Sequence, residues 1–442
     1  MEDAYLIKGG KKLSGEIILS GAKNVALKII IASLMYDQEV ILKNIPRIND
    51  VLELIGLIKS LGAKAEFTET NTLIVDGRRL DNNKVDFLHS SKIRVSFMMF
   101  APLIYRFGIC YVPNPGGCRI GARPIDRIIE GMKSLGVDIQ YDSDTGYYKA
   151  VAGDRLTGYY NFPKSSHTGT ELLIMISVFC KEKVVIDNAA LEPEIDELIL
   201  FLNQGGAKIR RDGKKIIILP CKELRRQEPF EIISDRNEAI TYACLALATK
   251  GDVFISSLPY KALDIFVKKV KEIGGGVKYI EKTNTFYFFY QGALKSSNIE
   301  TAPYPGFMTD WQPNWAVLMT QSEKESIIHE RVFENRFLYV EELRKLGAQI
   351  DFIKIPVKNP AEYFFFNFDP NKKYNQAIRI KGKQLLHGGA LNITDLRAGA
   401  TLAIAALIAE GESVVSGASI LERGYENFVE KVKKLGGEIK KV

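Results

Sequence analysis

The chain has 442 residues, more than one ordinary hydrophobic core organises, so two domains are expected. Hydrophobic residues make up 46% and charged residues 26%, the balance of a soluble globular protein, and the net charge of +7 fits either a lysine-rich solvated surface or an anionic small-molecule substrate. Five scattered cysteines form no CxxC pair and four histidines show no ligand spacing, which excludes the common zinc and iron–sulfur sites and leaves Cys, Lys, Arg, Asp and Glu to carry chemistry.

The opening Met1-Glu2-Asp3-Ala4 is acidic and is not followed by a long apolar run, so it does not read as a secretory signal. The most apolar stretch, residues 26–35, contains Lys28 and is too short to span a membrane, so a cytoplasmic location is expected. Apolar helices rich in Ala, Leu and Ile are expected over residues 22–35, 239–249 and 398–409. β-Branched strands are expected over residues 39–44, 183–188 and 412–416. Between and after them one phrase recurs six times: an amphipathic helix, a glycine, then an alternating strand. The glycines are Gly62, Gly136, Gly206, Gly274, Gly347 and Gly436, each ending a helix whose last turn is mostly basic. The repeat of helix, strand, helix, strand is about 70 residues long, and two groups of three copies would make two similar domains.

Several polar positions suit an anion. Lys23, in Gly21-Ala22-Lys23-Asn24, stands at the start of the first apolar helix, where backbone N–H groups and the helix dipole favour negative charge. Asp395-Leu396-Arg397 precedes a second such helix, and Arg423 opens the last one. Cys118 lies between Gly116-Gly117 and Arg119, with Arg123 nearby, an electropositive loop that favours a thiolate. Asp310, in Pro305-Gly306-Phe307-Met308-Thr309-Asp310-Trp311, reads either as part of a helix N-cap or as a general base.

Taken together, Leu13-Ser14-Gly15-Glu16, Ser20-Gly21-Ala22-Lys23-Asn24, the Cys118 loop, Asn188-Ala189-Ala190-Leu191-Glu192-Pro193-Glu194-Ile195, residues 305–310, Phe333-Glu334-Asn335-Arg336-Phe337, Asp395-Leu396-Arg397-Ala398 and Arg423-Gly424-Tyr425-Glu426 resemble the enolpyruvyl transferases, and within them the UDP-N-acetylglucosamine 1-carboxyvinyltransferase family. The resemblance runs along nearly the whole chain. It implies an α/β fold of two inside-out, barrel-like domains, each of three βαβαββ-type units, with residues 1–22 and 233–442 in one and 23–232 in the other. It implies transfer of the enolpyruvyl group of phosphoenolpyruvate to a sugar 3-hydroxyl with release of phosphate, the first committed step of peptidoglycan precursor synthesis. By resemblance Cys118 is the proton donor, Asp310 faces the hydroxyl as base or relay, and Lys23, Asn24, Arg123, Arg397 and Arg423 hold phosphoenolpyruvate. Asn24, Arg94, Arg123, Pro124, Ile125, Asp126, Arg127, Lys164, Ser165, Ser166, His167, Asp310 and Val332 fall where the family holds the UDP-sugar. No metal or organic cofactor is implied. The partners implied are the two small-molecule substrates, with no nucleic acid, no membrane, and a monomer or weak homo-oligomer.

The chain departs from the family pattern unevenly. Lys164-Ser165-Ser166-His167-Thr168-Gly169-Thr170 stands where the family reads Lys-x-Ser-Val-Gly-Ala-Thr, Arg127 replaces an apolar residue, Ser234 begins a segment usually begun by proline, and Lys28 stands where proline is common. The phosphoenolpyruvate side is thus intact and the nucleotide side altered. Two alternatives follow: a different nucleotide or sugar as acceptor, and an inactive paralogue with a binding or regulatory role.

Overall fold

A computed structural model describes residues 3–116, 124–153 and 156–442. They form two compact units, one of residues 3–20 and 234–442, the other of residues 21–116 and 124–233.

Each unit carries three small sheets with one shared topology. In the first unit Ser14–Ile17 pairs parallel with Asp252–Ile255, which pairs antiparallel with Thr285–Phe289, which pairs antiparallel with Gly276–Ile280. The second sheet repeats this with Ile299–Glu300, Ser326–His329, Ala377–Ile380 and Ile350–Ile353. The third uses Ala390–Asn392, Glu412–Ser416, Ala4–Lys8 and Glu438–Lys441, so the first strand of the chain completes the last hairpin. In the second unit the same order runs through Phe230–Glu231, Val40–Lys43, Thr72–Asp76 and Lys64–Glu69, and through Gly158–Asn161, Val184–Asp187, Lys215–Leu219 and Lys208–Asp212. Ile109–Pro113, Tyr147–Ala152 and Val137–Asp142 make its remaining sheet, where a single parallel bridge from Lys84 to Tyr111 replaces the edge strand.

The repeat is therefore edge strand, inner helix, strand, outer helix and a two-strand hairpin. The periodicity of the sequence shows the helices and one strand of the hairpin but not its return strand. The connectivity explains how one chain builds both units. The edge strand Ser14–Ile17 is completed only by Arg236–Ala248 and Asp252–Ile255, and the edge strand Phe230–Glu231 completes a sheet begun at Val40. The chain leaves and re-enters the first unit at the same step of the repeat, between edge strand and inner helix.

The inner helices of the first unit are buried all round because their sequences have no polar stripe. In the first unit Arg236–Ala248, Gln312–Thr320 and Leu396–Ile408 pack on one another, and every residue but Ile408 is buried. In the second, Lys23–Ser33, Phe100–Phe107 and His167–Ser177 take that place. With helices inside and sheets around them, both units are inside-out α/β domains. Two helices start earlier than their apolar runs predict, because Asp235 and Asp395 cap them: Asp235 accepts from the Asn237 N–H (2.7 Å), and Asp395 from those of Arg397 (2.8 Å) and Ala398 (3.1 Å). The outer helices are amphipathic; Asn49–Ser60 buries Val51, Leu54, Ile55, Leu57 and Ile58 while Leu52 faces out. The six glycines of the repeated phrase all have positive φ, between 80° and 107°, the left-handed turn that reverses each outer helix into its strand. No helix among the described residues is long and apolar enough to cross a membrane.

Candidate active site

In the first unit Asp310 lies just before the Gln312–Thr320 inner helix. Neither it nor Thr309 caps that helix, whose N-cap position is Trp311, with no side-chain cap bond. Two arginines hold the Asp310 carboxylate instead. Arg336 Nη2 donates to Oδ1 at 2.8 Å and Arg397 Nε to Oδ2 at 3.4 Å. Arg336 also reaches Asp395 Oδ1 at 3.4 Å, so the capping aspartate and the site aspartate share one guanidinium. Arg336 and Arg397 side chains are 2% and 5% exposed, whereas that of Asp310 is 25% exposed. Two arginines thus stand beneath an accessible carboxylate. Burial disfavours their charge, but their carboxylate neighbours, and for Arg397 also Tyr425, outweigh it and raise both pKa values.

A line of hydrogen bonds across the three inner helices fixes Arg397. Its Nη1 donates to the Tyr425 hydroxyl at 3.2 Å, and its guanidinium carbon lies 5.5 Å from the centre of that ring. The Tyr425 and Thr241 hydroxyls are 2.7 Å apart. Asn314 Nδ2 donates to Thr241 Oγ1 (2.9 Å), and Thr401 Oγ1 to Asn314 Oδ1 (2.8 Å). Glu330, fully buried, clasps the loops on either side of Asp310. Its Oε2 accepts from Thr309 Oγ1 (2.8 Å), and its Oε1 from the N–H groups of Val332 (2.7 Å) and Phe333 (3.1 Å). Burial pushes its carboxyl upward, against those bonds and the charge of Arg336. Arg423 is half-buried, two residues before Tyr425.

In the second unit Lys23 is buried, not solvated. It opens its inner helix with Nζ 2.7 Å from Asp50 Oδ2, and Asp50 is buried as well. Gly21 is required just before it: a Cβ there would stand 1.8 Å from the Asn44 carbonyl oxygen. Asn24 is half-buried beside it, and Arg94 starts the Arg94–Met99 3-10 turn. Pro124 and Asp126 are exposed, Ile125 is buried, and the Arg127 carbonyl accepts from the Tyr160 hydroxyl at 2.7 Å. Lys164 and Ser165 are half-buried. Burial and the nearby Arg127 charge push the Lys164 amine below its ordinary pKa. Ser166 caps the His167–Ser177 helix by accepting from the Gly169 N–H at 3.2 Å. His167 turns inward, its Nε2 3.2 Å from Glu171 Oε1, and Lys28 Nζ lies 3.1 Å from Glu171 Oε2.

The first unit thus carries Asp310, Arg397, Arg423 and Val332, with Asp310 and Arg397 in contact, and the second carries Lys23, Asn24, Arg94, residues 124–127 and residues 164–167. Cys118 and Arg123 lie outside the described residues. Sequence reasoning assigned no role to Arg336, Tyr425, Asp395, Glu330, Asp50 or Glu171. Arg336, Tyr425 and Asp395 stand inside motifs that carried the resemblance, and that was the available signal. Among the described residues no cluster of His, Cys, Asp and Glu is placed to hold a metal ion.

The chain belongs to the EPSP synthase (3-phosphoshikimate 1-carboxyvinyltransferase) family, whose sequence profile it matches over residues 7–432. Within that family its curated relatives include the UDP-N-acetylglucosamine 1-carboxyvinyltransferases of Coxiella burnetii (strain RSA 493 / Nine Mile phase I), 37% identical over 100% of this chain and 96% of the relative, and of Halothermothrix orenii, 38% identical over 99% of each. Among solved structures, the enolpyruvyl transferase NikO from Streptomyces tendae shares the fold with a TM-score of 0.84 at 22% identity, over 99% of this chain and 98% of that one. The EPSP synthase from Acinetobacter baumannii does so with a TM-score of 0.72 at 15% identity, over 100% and 99%.

Proposed function

We propose that this chain is an enolpyruvyl transferase that moves the enolpyruvyl group of phosphoenolpyruvate to the 3-hydroxyl of UDP-N-acetylglucosamine and releases phosphate. The full-length similarity to curated enzymes of that name supports the activity. The observation that carries the chemistry is Asp310, an accessible carboxylate seated on two buried arginines.

The reaction adds the hydroxyl oxygen to C2 of phosphoenolpyruvate while C3 gains a proton. The C2–O bond to phosphate then breaks as C3 loses a proton, restoring the double bond. Asp310 accepts the hydroxyl proton or relays it. Arg397, locked by Tyr425, and Arg423 provide cations for carboxylate and phosphate, and Arg's fork suits both anions. Lys23 and Asn24, at a helix N-terminus, bind phosphoenolpyruvate. Cys118 donates the proton to C3, and Arg123 completes the clamp. Arg94, Pro124, Ile125, Asp126, Arg127, Lys164, Ser165, Ser166, His167 and Val332 hold the UDP-sugar. The protein works in the cytoplasm as a monomer or weak homo-oligomer, with no cofactor.

Mass analysis of a quenched mixture of protein, phosphoenolpyruvate and UDP-N-acetylglucosamine tests this reading. It predicts a UDP-sugar heavier by one enolpyruvyl group; an unchanged UDP-sugar sinks the acceptor assignment. A second reading, transfer to another nucleotide, is favoured by one observation: the unusual Lys28 and His167 converge on Glu171 beside the proposed acceptor residues.

A further inference from the structure

One hairpin of the first unit is unlike the others. In four sheets the hairpin strands are joined by residues 70–71, 143–146, 213–214 and 281–284, whereas residues 354–376 join Ile350–Ile353 to Ala377–Ile380. A turn of about two to five residues suffices to reverse a strand, and a loop several times longer commonly carries function. The repeat itself therefore does not require residues 354–376.

The long loop has a packed interior of its own. Phe364 and Phe366 are buried with ring centres 5.0 Å apart, and the Tyr374 ring stands 5.2 Å from that of Phe366. The loop is also fastened to the segment from His329 to Phe333. The Phe365 N–H donates to the Arg331 carbonyl at 2.8 Å, and Gln376 Nε2 donates to the Phe333 carbonyl at 3.2 Å. In return Arg331 Nη2 donates to the Tyr363 carbonyl at 3.1 Å, and the guanidinium carbon lies 3.9 Å from the centre of the Tyr363 ring. Its Nη1 reaches Glu300 Oε2, on the edge strand of the same sheet, at 3.1 Å. The Tyr363 hydroxyl lies 3.0 Å from His329 Nδ1.

Val332 thus stands between two residues whose carbonyls the loop holds. From the other side Glu330 takes the N–H groups of Val332 and Phe333 together with the hydroxyl of Thr309, next to Asp310. A segment held from both sides is preorganised, and a ligand that binds it pays less to order it.

We infer that the loop of residues 354–376 is a positioning element for the acceptor, and that Arg331, gripped by Tyr363 and Phe365, is the positioning residue through which it acts on Val332. The inference rests on the enolpyruvyl-transferase reading, which puts Val332 against the UDP-sugar, and deepens its acceptor side. Phosphoenolpyruvate is served by other bonds: Tyr425 and Asp310, both outside the loop, hold Arg397. Loosening the loop therefore acts on one substrate more than on the other.

Calorimetric binding of UDP-N-acetylglucosamine to the full chain, followed by kinetics with each substrate varied in turn, tests the inference. Arg331→Met removes the side-chain bonds to Tyr363 and Glu300 and leaves the backbone bond from Phe365 in place. It is expected to weaken binding of the UDP-sugar about tenfold, the scale of one hydrogen bond to a charged group. KM for the UDP-sugar is expected to rise by a like factor, with KM for phosphoenolpyruvate and kcat changing far less. Arg331→Lys keeps a cation over Tyr363 but not the fork, and is expected to recover part of the loss. A second variant, with residues 355–375 replaced by Asn-Gly, has a short hairpin like those of the other sheets and is expected to bind the UDP-sugar at least as weakly as Arg331→Met. An Arg331→Met protein with wild-type affinity for the UDP-sugar, or with KM raised equally for both substrates, overturns the inference while leaving the transferase reading intact. A wild type that does not bind the UDP-sugar overturns the inference as well. A wild type that binds it but transfers nothing to it sinks the transferase reading alone, and the affinity of Arg331→Met still decides the inference.

Discussion

Arg336 Nη2 lies 2.8 Å from Asp310 Oδ1, and the other terminal nitrogen of the same guanidinium lies 3.4 Å from Asp395 Oδ1. One buried arginine therefore ties the accessible carboxylate to the aspartate that caps the inner helix carrying Arg397. A single side chain thus links the site carboxylate to the start of that helix.

Replacing Arg336 by methionine leaves Asp395 buried with a missing partner. Breaking a buried ion pair in this way costs about 3–5 kcal/mol, so denaturant titration is expected to show a fall of that order. Arg336→Lys keeps a charge but not the two-pronged fork, so it is expected to retain more stability while kcat still falls. Equal kcat in Arg336→Lys and wild type would contradict the positioning role.

Asp310→Asn keeps the shape and removes the base. A positioned general base contributes about 10²–10⁴-fold, so kcat is expected to fall on that scale. The substitution also removes a negative charge from beside Arg397, so phosphoenolpyruvate should bind at least as tightly as before. Weaker phosphoenolpyruvate binding, read by calorimetry, would show that Asp310 serves the fold of the clamp and not the hydroxyl proton.

Two glycines separate backbone strain from close contact. Gly436 has φ +92° and open space where a Cβ would stand, so Gly436→Ala is expected to cost only the left-handed penalty, about 1–2 kcal/mol. Gly21→Ala would place a Cβ 1.8 Å from the Asn44 carbonyl oxygen, forcing backbone to move directly beside Lys23. It is expected to destabilise the protein more and to raise the KM for phosphoenolpyruvate, whereas Gly436→Ala should leave KM unchanged.

Cys110, Cys180 and Cys244 are buried, and burial raises the pKa of each thiol. Cys221 is partly exposed, its Sγ donating to the carbonyls of Gly206 (3.3 Å) and Glu223 (3.1 Å). Treatment of the native protein with the epoxide fosfomycin is expected to give one adduct, at Cys118, with the other four thiols unmodified by peptide mapping. An adduct at Cys221, or none, would count against the role given to Cys118.

The repeat was legible because its signal is local. A helix, a left-handed glycine and a strand lie within a few residues, and all six glycines adopt the required φ. The hairpin return strands were not legible, since nothing like the glycine phrase marks them. The residues around Asp310 were legible only as motifs. The partners of Asp310 are 26 and 87 residues away in sequence, and Asp395 is 59 residues from Arg336, separations that no periodicity reports. The burial of Lys23 was not legible, because Asp50, which neutralises it in the interior, belongs to the next helix. The Lys28–Glu171–His167 contact was visible only as two unrelated departures, since residues on two different helices meet there.

The most direct test of the central claim is the release of inorganic phosphate from phosphoenolpyruvate as UDP-N-acetylglucosamine is added to the purified protein. Enolpyruvyl transfer predicts release that depends on the UDP-sugar, matches it one for one, and falls sharply in Asp310→Asn. No release with UDP-N-acetylglucosamine or with any other nucleotide acceptor would contradict it.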